Sequence, residues 1–237
     1  LEMDLAVTRD RVVVVSHDYR LNPVLTRGPD GEFLDEDARI LIKDLTFDQL
    51  REYSLGQIRR GSDYWYRFRE QAPVPGEKIP SLSQVFELVD SMGADAVRFN
   101  LETKTYPPFP EYTIEYHEFV QLVLDLIREH GLEARVTIQS FDWRTLKVVK
   151  ELAPEIPVVC LTVENFSIGG AWYNLQPGGE GSSPWLAGFD ADDFDGVAGL
   201  VHAFGAQIIS PYYREIDRRE VEEAHRLGLR VIPWTVN

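Results

Sequence analysis

Cysteine is almost missing from this chain: Cys160 is the only one in 237 residues, so no internal disulfide can form. That leaves the compartment open, because exported bacterial proteins also fold without disulfides. No hydrophobic run approaches the ~18 residues of a membrane span. Neither a GxGxxG nor a GxxxxGK(S/T) segment is present, which weakens a nucleotide-binding, doubly wound sheet. Positive charge is short as well: 24 Lys and Arg stand against 39 Asp and Glu, a net charge of −15. A nucleic-acid partner normally demands a basic face, and none is visible. The chain opens on LEMDLAV with no initiator Met and no basic n-region. Its natural start is therefore expected upstream, and a signal peptide stays open.

What is present fits one large domain. Hydrophobic residues make up 44% of the chain. Domains usually run ~100–200 residues, and single α/β barrels reach ~250. The pattern predicts strands at 1–7 and 11–16, forming a hairpin-like pair or one broken strand, then a polar loop from Tyr19 to about Leu34. A helix is predicted at 46–55, capped by Thr46, and another from Ser81 to Gly93. Between them, residues 57–80 read as an irregular excursion carrying Tyr64, Trp65 and Tyr66. Strands at 95–103, 134–140, 157–163, 206–211 and 229–236 then alternate with helices at 113–130, 143–152, 192–203 and 217–227, and a Gly-rich loop covers 169–188. This alternation predicts a parallel α/β domain. Polar residues at several strand ends favour a barrel, whose sites lie at the C-terminal ends of its strands.

Some of those polar residues point to chemistry. Side chains alternate along a strand, so Glu2 and Asp4 project together. Two carboxylates one pleat apart repel unless a cation lies between them, and oxygen-only clusters suit Mg2+ or Ca2+. The competing reading is an exposed edge strand with two solvated acids. His17-Asp18 follows the apolar run Val12–Val15, where an imidazole is placed for proton transfer, although a loop His packed on backbone is the commoner case. In the segment 96–104, Val97, Phe99, Leu101 and Thr103 face one way, and Arg98, Asn100, Glu102 and Lys104 the other. The apolar face suits helices, so the polar face points into the barrel and needs partners or ligands there. A purely structural Glu–Lys pairing is the alternative. Gln139-Ser140-Phe141-Asp142 and Trp234-Thr235-Val236-Asn237 end two further strands and offer an aromatic wall beside polar groups.

Taken in order, Glu2-x-Asp4, His17-Asp18, Leu101-Glu102-Thr103-Lys104, Gln139-Ser140-Phe141-Asp142 and Trp234-Thr235-Val236-Asn237 resemble the glycerophosphodiester phosphodiesterase family over essentially the whole chain. The resemblance implies a (β/α)8 TIM barrel of phospholipase-C-like type, with an insertion at about 19–80 after the second barrel strand. It implies metal-dependent hydrolysis of glycerophosphodiesters to glycerol 3-phosphate and an alcohol. Glu2, Asp4 and Glu102 would be the ligands of a divalent metal, Ca2+ or Mg2+. His17 would be one of two catalytic histidines, with Lys104 at the phosphate. Trp234, Asn100 and Phe141 would join Lys104 on the substrate side. The family's opening His-Arg-Gly strand and its last strand have no match here, so about six of the eight strands are expected, and a lone chain of this sequence is expected to fold poorly. The Tyr106–Pro110 loop resembles that of exported members, which favours the periplasm. A phospholipid-cleaving barrel and a non-catalytic barrel that binds a phosphoryl ligand or a protein are the alternatives. An HRG-ending strand before Leu1 is expected of the enzyme. Headgroup preference and oligomeric state stay open.

Overall fold

A computed structural model describes residues 1–164, 174–179 and 181–236. In chain order the elements are strands β1 (Glu2–Val7) and β2 (Val13–Val15), helices α1 (Phe47–Leu50), α2 (Asp63–Arg67) and α3 (Leu82–Ser91), then β3 (Phe99–Thr103), α4 (Tyr116–Glu129), β4 (Val136–Ser140), α5 (Trp143–Leu152), β5 (Val158–Thr162), α6 (Val197–Phe204), β6 (Ile208–Pro211), α7 (Arg218–Arg226) and β7 (Arg230–Val231). Part of the Gly-rich loop expected at 169–188, namely 169–173 and 180, lies outside the described residues, as does Asn237.

Among the described residues, one sheet runs β2-β1-β3-β4-β5-β6-β7, with every neighbouring pair parallel except β1 and β2. The opening pair is thus a hairpin, with Leu5 opposite Val15 and Val7 opposite Val13. Arg11 takes the left-handed conformation in its turn, at φ 67°. From β3 onward the strand order follows the chain without reversal. Right-handed crossovers in unbroken order place every helix on the same face of the sheet. A doubly wound sheet would need a reversal, so this is the wall of a barrel.

The burial pattern agrees. Phe99, Leu101, Val136, Ile138, Val158, Cys160 and Ile209 join the large core with residues of α3 to α7. Their alternates Asn100, Glu102, Thr137, Gln139, Val159, Leu161, Ile208 and Ser210 belong to no apolar cluster and form the opposite face. A second, smaller core of Ala6, Val14, Leu21, Ile42, Leu50 and Ile79 lies behind the hairpin and anchors the segment between β2 and α3. Thr46 and Ser81 each close a capping box, which fixes where α1 and α3 begin.

Several elements are shorter than the sequence predicts, and three of them show why. The helix expected at 46–55 spans only Phe47–Leu50, because Ser54 and Leu55 turn to bond Arg27 and Glu77 instead. The strand expected at 95–103 starts at Phe99, after a turn in which the Val97 amide donates to the Ala94 carbonyl. The last strand, expected at 229–236, is regular only at Arg230–Val231 and then reaches β6 through single bonds from Ile232 and Trp234. Pro233 between them has no amide hydrogen to give. One departure runs the other way: Ser62 caps α2 within the stretch expected to be irregular.

Leu124 of α4 is fully buried in the large core. Leu124→Ala is expected to cost ~2–5 kcal/mol of unfolding free energy in a urea titration. A loss below ~1 kcal/mol would show that α4 does not seal the helix layer.

Candidate functional site

Strand register builds the site in layers. Asp4 pairs with Glu102 across β1 and β3, and Glu102 with Gln139 across β3 and β4. One pleat lower, Glu2 pairs with Asn100 and Asn100 with Thr137. Carboxylate oxygens of Glu2, Asp4 and Glu102 all lie within 4.8 Å of one another. Lys104 rises from the end of β3 and donates to Asp4 at 2.9 Å, with Glu102 at 3.4 Å. The two-residue alternation of β3 therefore puts Asn100, Glu102 and Lys104 on one face, as the sequence indicated.

Burial sets the protonation states. Glu102 is almost fully buried, and burial pushes its carboxyl up to about 8, with the Lys104 ammonium opposing and Asp4 adding to the rise. Burial also acts upward on Asp4, but Lys104 and a hydrogen bond from Glu102 outweigh it and leave Asp4 below its ordinary value. The opposite directions favour the neutral carboxyl at Glu102 and the carboxylate at Asp4. Burial works against the Lys104 ammonium, yet Glu102 and Asp4 more than offset it and raise its pKa. Glu2, nearer solvent, is raised by burial and then by Asp4.

A chain of amides holds the cluster. Thr137 Oγ1 donates to Asn100 Oδ1 at 2.7 Å, Asn100 Nδ2 to Gln139 Oε1 at 2.7 Å, and Gln139 Nε2 to Glu2 Oε1 at 2.7 Å. Asn100 therefore stands below the pocket and reaches the site through Gln139. At the rim, Thr105 Oγ1 donates to Asp142 at 2.6 Å, and Arg144 grips the same carboxylate with Nε and a terminal nitrogen at 2.9 and 2.7 Å. This ties the loop after β3 to the loop after β4.

A cavity of about 430 Å³ opens above the cluster, lined by Glu102 and Lys104 at its base and by His17, Phe141 and Trp234 among its walls. His17 is largely exposed, and its Nδ1 lies 2.8 Å from Asp18 Oδ1. Asn22 holds the second Asp18 oxygen at 2.9 Å. Phe141 and Trp234 meet edge to face at 5.2 Å. Tyr64 to Tyr66 do not line the cavity, although the Asp18 charge is felt at Tyr64.

The structure adds wall residues that the sequence did not mark: Tyr19, Arg20, Asn22, Asn174 and Trp185. Tyr19 stacks on Tyr112 at 4.9 Å and on Tyr106 at 6.0 Å. Asn174 donates to the carbonyls of Phe141 and Leu161 and accepts from the Val163 amide. All five come from loops without periodicity. The only signal was position, directly after His17-Asp18 or within the Gly-rich stretch.

The chain has close likenesses among known proteins. The model of the glycerophosphoryl diester phosphodiesterase family matches residues 1–237. A glycerophosphodiester phosphodiesterase of Caldanaerobacter subterraneus subsp. tengcongensis is 25% identical over 241 residues, covering 100% of this chain and 73% of that protein. One from Bacillus subtilis is 28% identical over 243 residues, covering 100% and 66%. A crystal structure from Silicibacter pomeroyi DSS-3, described as of the same phosphodiesterase type, superposes with a TM-score of 0.83 at 28% identity, covering 100% of this chain and 73% of its own. An Oleispira antarctica phosphodiesterase in complex with the product sn-glycerol-3-phosphate shares the fold, with a TM-score of 0.64 at 17% identity over 100% of this chain and 72% of its own. The parallel wall is that of a TIM-type barrel.

A carboxyl whose folded pKa exceeds its unfolded value binds more protons when folded, so it favours the fold at low pH and loses that contribution as pH rises. With divalent cations chelated, the Glu102 contribution is expected to fall as pH climbs from the ordinary glutamate value of 4.5 toward about 8. Glu102→Gln should flatten that stretch of the stability–pH curve, measured by urea titration in steps of pH. An unaltered slope would place the proton elsewhere.

Proposed function

The chain belongs to the glycerophosphoryl diester phosphodiesterase family, and from that premise we propose that it hydrolyses glycerophosphodiesters to glycerol 3-phosphate and an alcohol at the barrel mouth. One observation carries the reading: Glu2, Asp4 and Glu102 converge within 4.8 Å beside Lys104, and Glu102 and Lys104 line the cavity. The product named for the Oleispira protein is the one expected here.

The donor set fits a hard divalent cation. It is all oxygen, and three carboxylates stand against one ammonium. Burial, and after it the neighbouring acids, push the Glu102 carboxyl upward, which is what a cluster with too little positive charge does. Glu2, Asp4 and Glu102 would hold Ca2+ or Mg2+. When bound, such an ion supplies Lewis-acid neutralisation of the charge on phosphoryl oxygens.

The protein's own groups do the rest. Lys104 lends its ammonium to a phosphoryl oxygen, and the carboxylates beneath keep it protonated and in place. With the Nδ1–H tautomer, His17 donates to Asp18 Oδ1, which leaves the Nε2 lone pair free to accept a proton. From there His17 draws a proton from the attacking water or the neighbouring glycerol hydroxyl, or in its acid form returns one to the leaving alkoxide. The new P–O bond forms as the ester P–O bond to the alcohol breaks, and the proton taken from the attacking group goes to the leaving alkoxide; where the glycerol hydroxyl attacks, the product is a cyclic phosphate that a water must then open at its ring P–O bond to give glycerol 3-phosphate. Trp234 and Phe141 offer the glycerol carbons an apolar wall.

In the full-length protein, Glu102→Gln should abolish divalent-dependent release of glycerol 3-phosphate from glycerophosphocholine without loss of the circular-dichroism spectrum. Turnover at the wild-type rate would remove Glu102 from the metal set. His17→Ala should lower kcat by ~100-fold or more. A loss of only a few-fold would exclude His17 from proton transfer.

A further inference from the structure

Arg20 is the charged wall residue that the mechanism leaves unused. It lines the cavity and is half-buried. Its backbone is clamped: the Tyr19 carbonyl accepts from the Ile42 amide at 3.0 Å, and the Leu21 amide donates to Ile40 at 2.9 Å, closing a bridge opposite Leu41. Leu21 is sunk in the smaller core, so the loop cannot easily carry Arg20 away from the wall.

No side-chain hydrogen bond or ion pair holds Arg20 among the described residues. The neighbouring carboxylate is already committed, since both Asp18 oxygens are taken by His17 and Asn22. Other arginines of the same region have partners: Arg27 bonds the Gly31 carbonyl and lies over Phe33, and Arg59 pairs with Glu36 and the Leu34 carbonyl. The other cation of the cavity wall, Lys104, is bound to Asp4 and Glu102. A half-buried guanidinium without a counterion is a recognition group for an anion, because its fork of donors stays partly desolvated until a carboxylate or phosphate fills it.

Which anion follows from the division of the cavity. The diester phosphate is already served by Lys104 and the carboxylate cluster at the base. The variable part of the substrate is its alcohol. We propose that Arg20 selects glycerophosphodiesters whose alcohol half carries an anionic group, a carboxylate in particular. Arg20 is then a specificity residue outside the bond-making steps. This inference rests on the phosphodiesterase reading above.

Glycerophosphoserine and glycerophosphoethanolamine are a matched pair that differs by one carboxylate. For the full-length protein with Ca2+ or Mg2+, kcat/KM is expected to favour the serine diester by about ten-fold or more, the worth of one charge-assisted hydrogen bond. Arg20→Gln should bring the ratio near one, chiefly by lowering kcat/KM for the serine diester, and Arg20→Lys should restore part of it. A wild-type ratio near one overturns the assignment. So does an Arg20→Gln loss of equal size on both diesters, which would place the guanidinium on the scissile phosphate or in the fold. If neither diester is turned over, the phosphodiesterase reading fails. The ratio of the two dissociation constants, measured by calorimetry on wild type and Arg20→Gln, then decides the Arg20 assignment alone.

Discussion

Repulsion among three carboxylates crowded between the first half of β1 and the last residues of β3 is the constraint around which the rest of the site is arranged. Glu2, Asp4 and Glu102 cannot all be charged at this distance without a cation. Lys104 supplies one positive charge, and burial favours the neutral form of Glu102. Even so the cluster remains short of positive charge. That shortfall would give the cluster an affinity for a divalent ion that a fully compensated ion-pair network would lack. The same crowding explains the polar ladder beneath it. Thr137, Asn100 and Gln139 hand hydrogen bonds across the strands to Glu2, the most exposed of the three acids, and so hold it beside the other two.

The wall order and the cluster depend on each other. Parallel pairing of β1 with β3 sets Asp4 directly opposite Glu102. A shift of one residue in that register would turn Glu102 outward against the helices and bring Leu101 to the mouth. Register is secured by the apolar alternates, since Phe99 and Leu101 are buried against the helix layer. Packing on one face thus fixes chemistry on the other.

Much of this was legible in the sequence, and the reason is periodicity. Alternation along β3 is strict enough to assign each of its side chains to a face, and the ordered motifs fixed the family. The loops were not legible. Tyr19, Arg20, Asn22, Asn174 and Trp185 enter the cavity wall through contacts distant in sequence, such as the Tyr19–Tyr112 stack and the Asn174 bonds to Phe141 and Leu161. No local pattern encodes those partners. Element ends were blurred for the same reason: Ser54 leaves its helix for Arg27, and Pro233 interrupts the last strand. Asn100 shows a subtler gap. Its face was evident, but its depth came only from the register, which seats it one layer beneath the cavity.

The smaller core behind the opening hairpin makes the barrel mouth a composite of two independently mouldable walls. Leu21, Ile42, Leu50 and Ile79 brace the stretch that carries His17, Tyr19 and Arg20 from behind, without sharing residues with the helix layer. Substitutions in that satellite can tilt one side of the opening by fractions of an ångström while the acids and their ladder stay fixed. A lineage could thus retune which alcohols fit, one hydrophobic swap at a time, and never disturb the phosphate end.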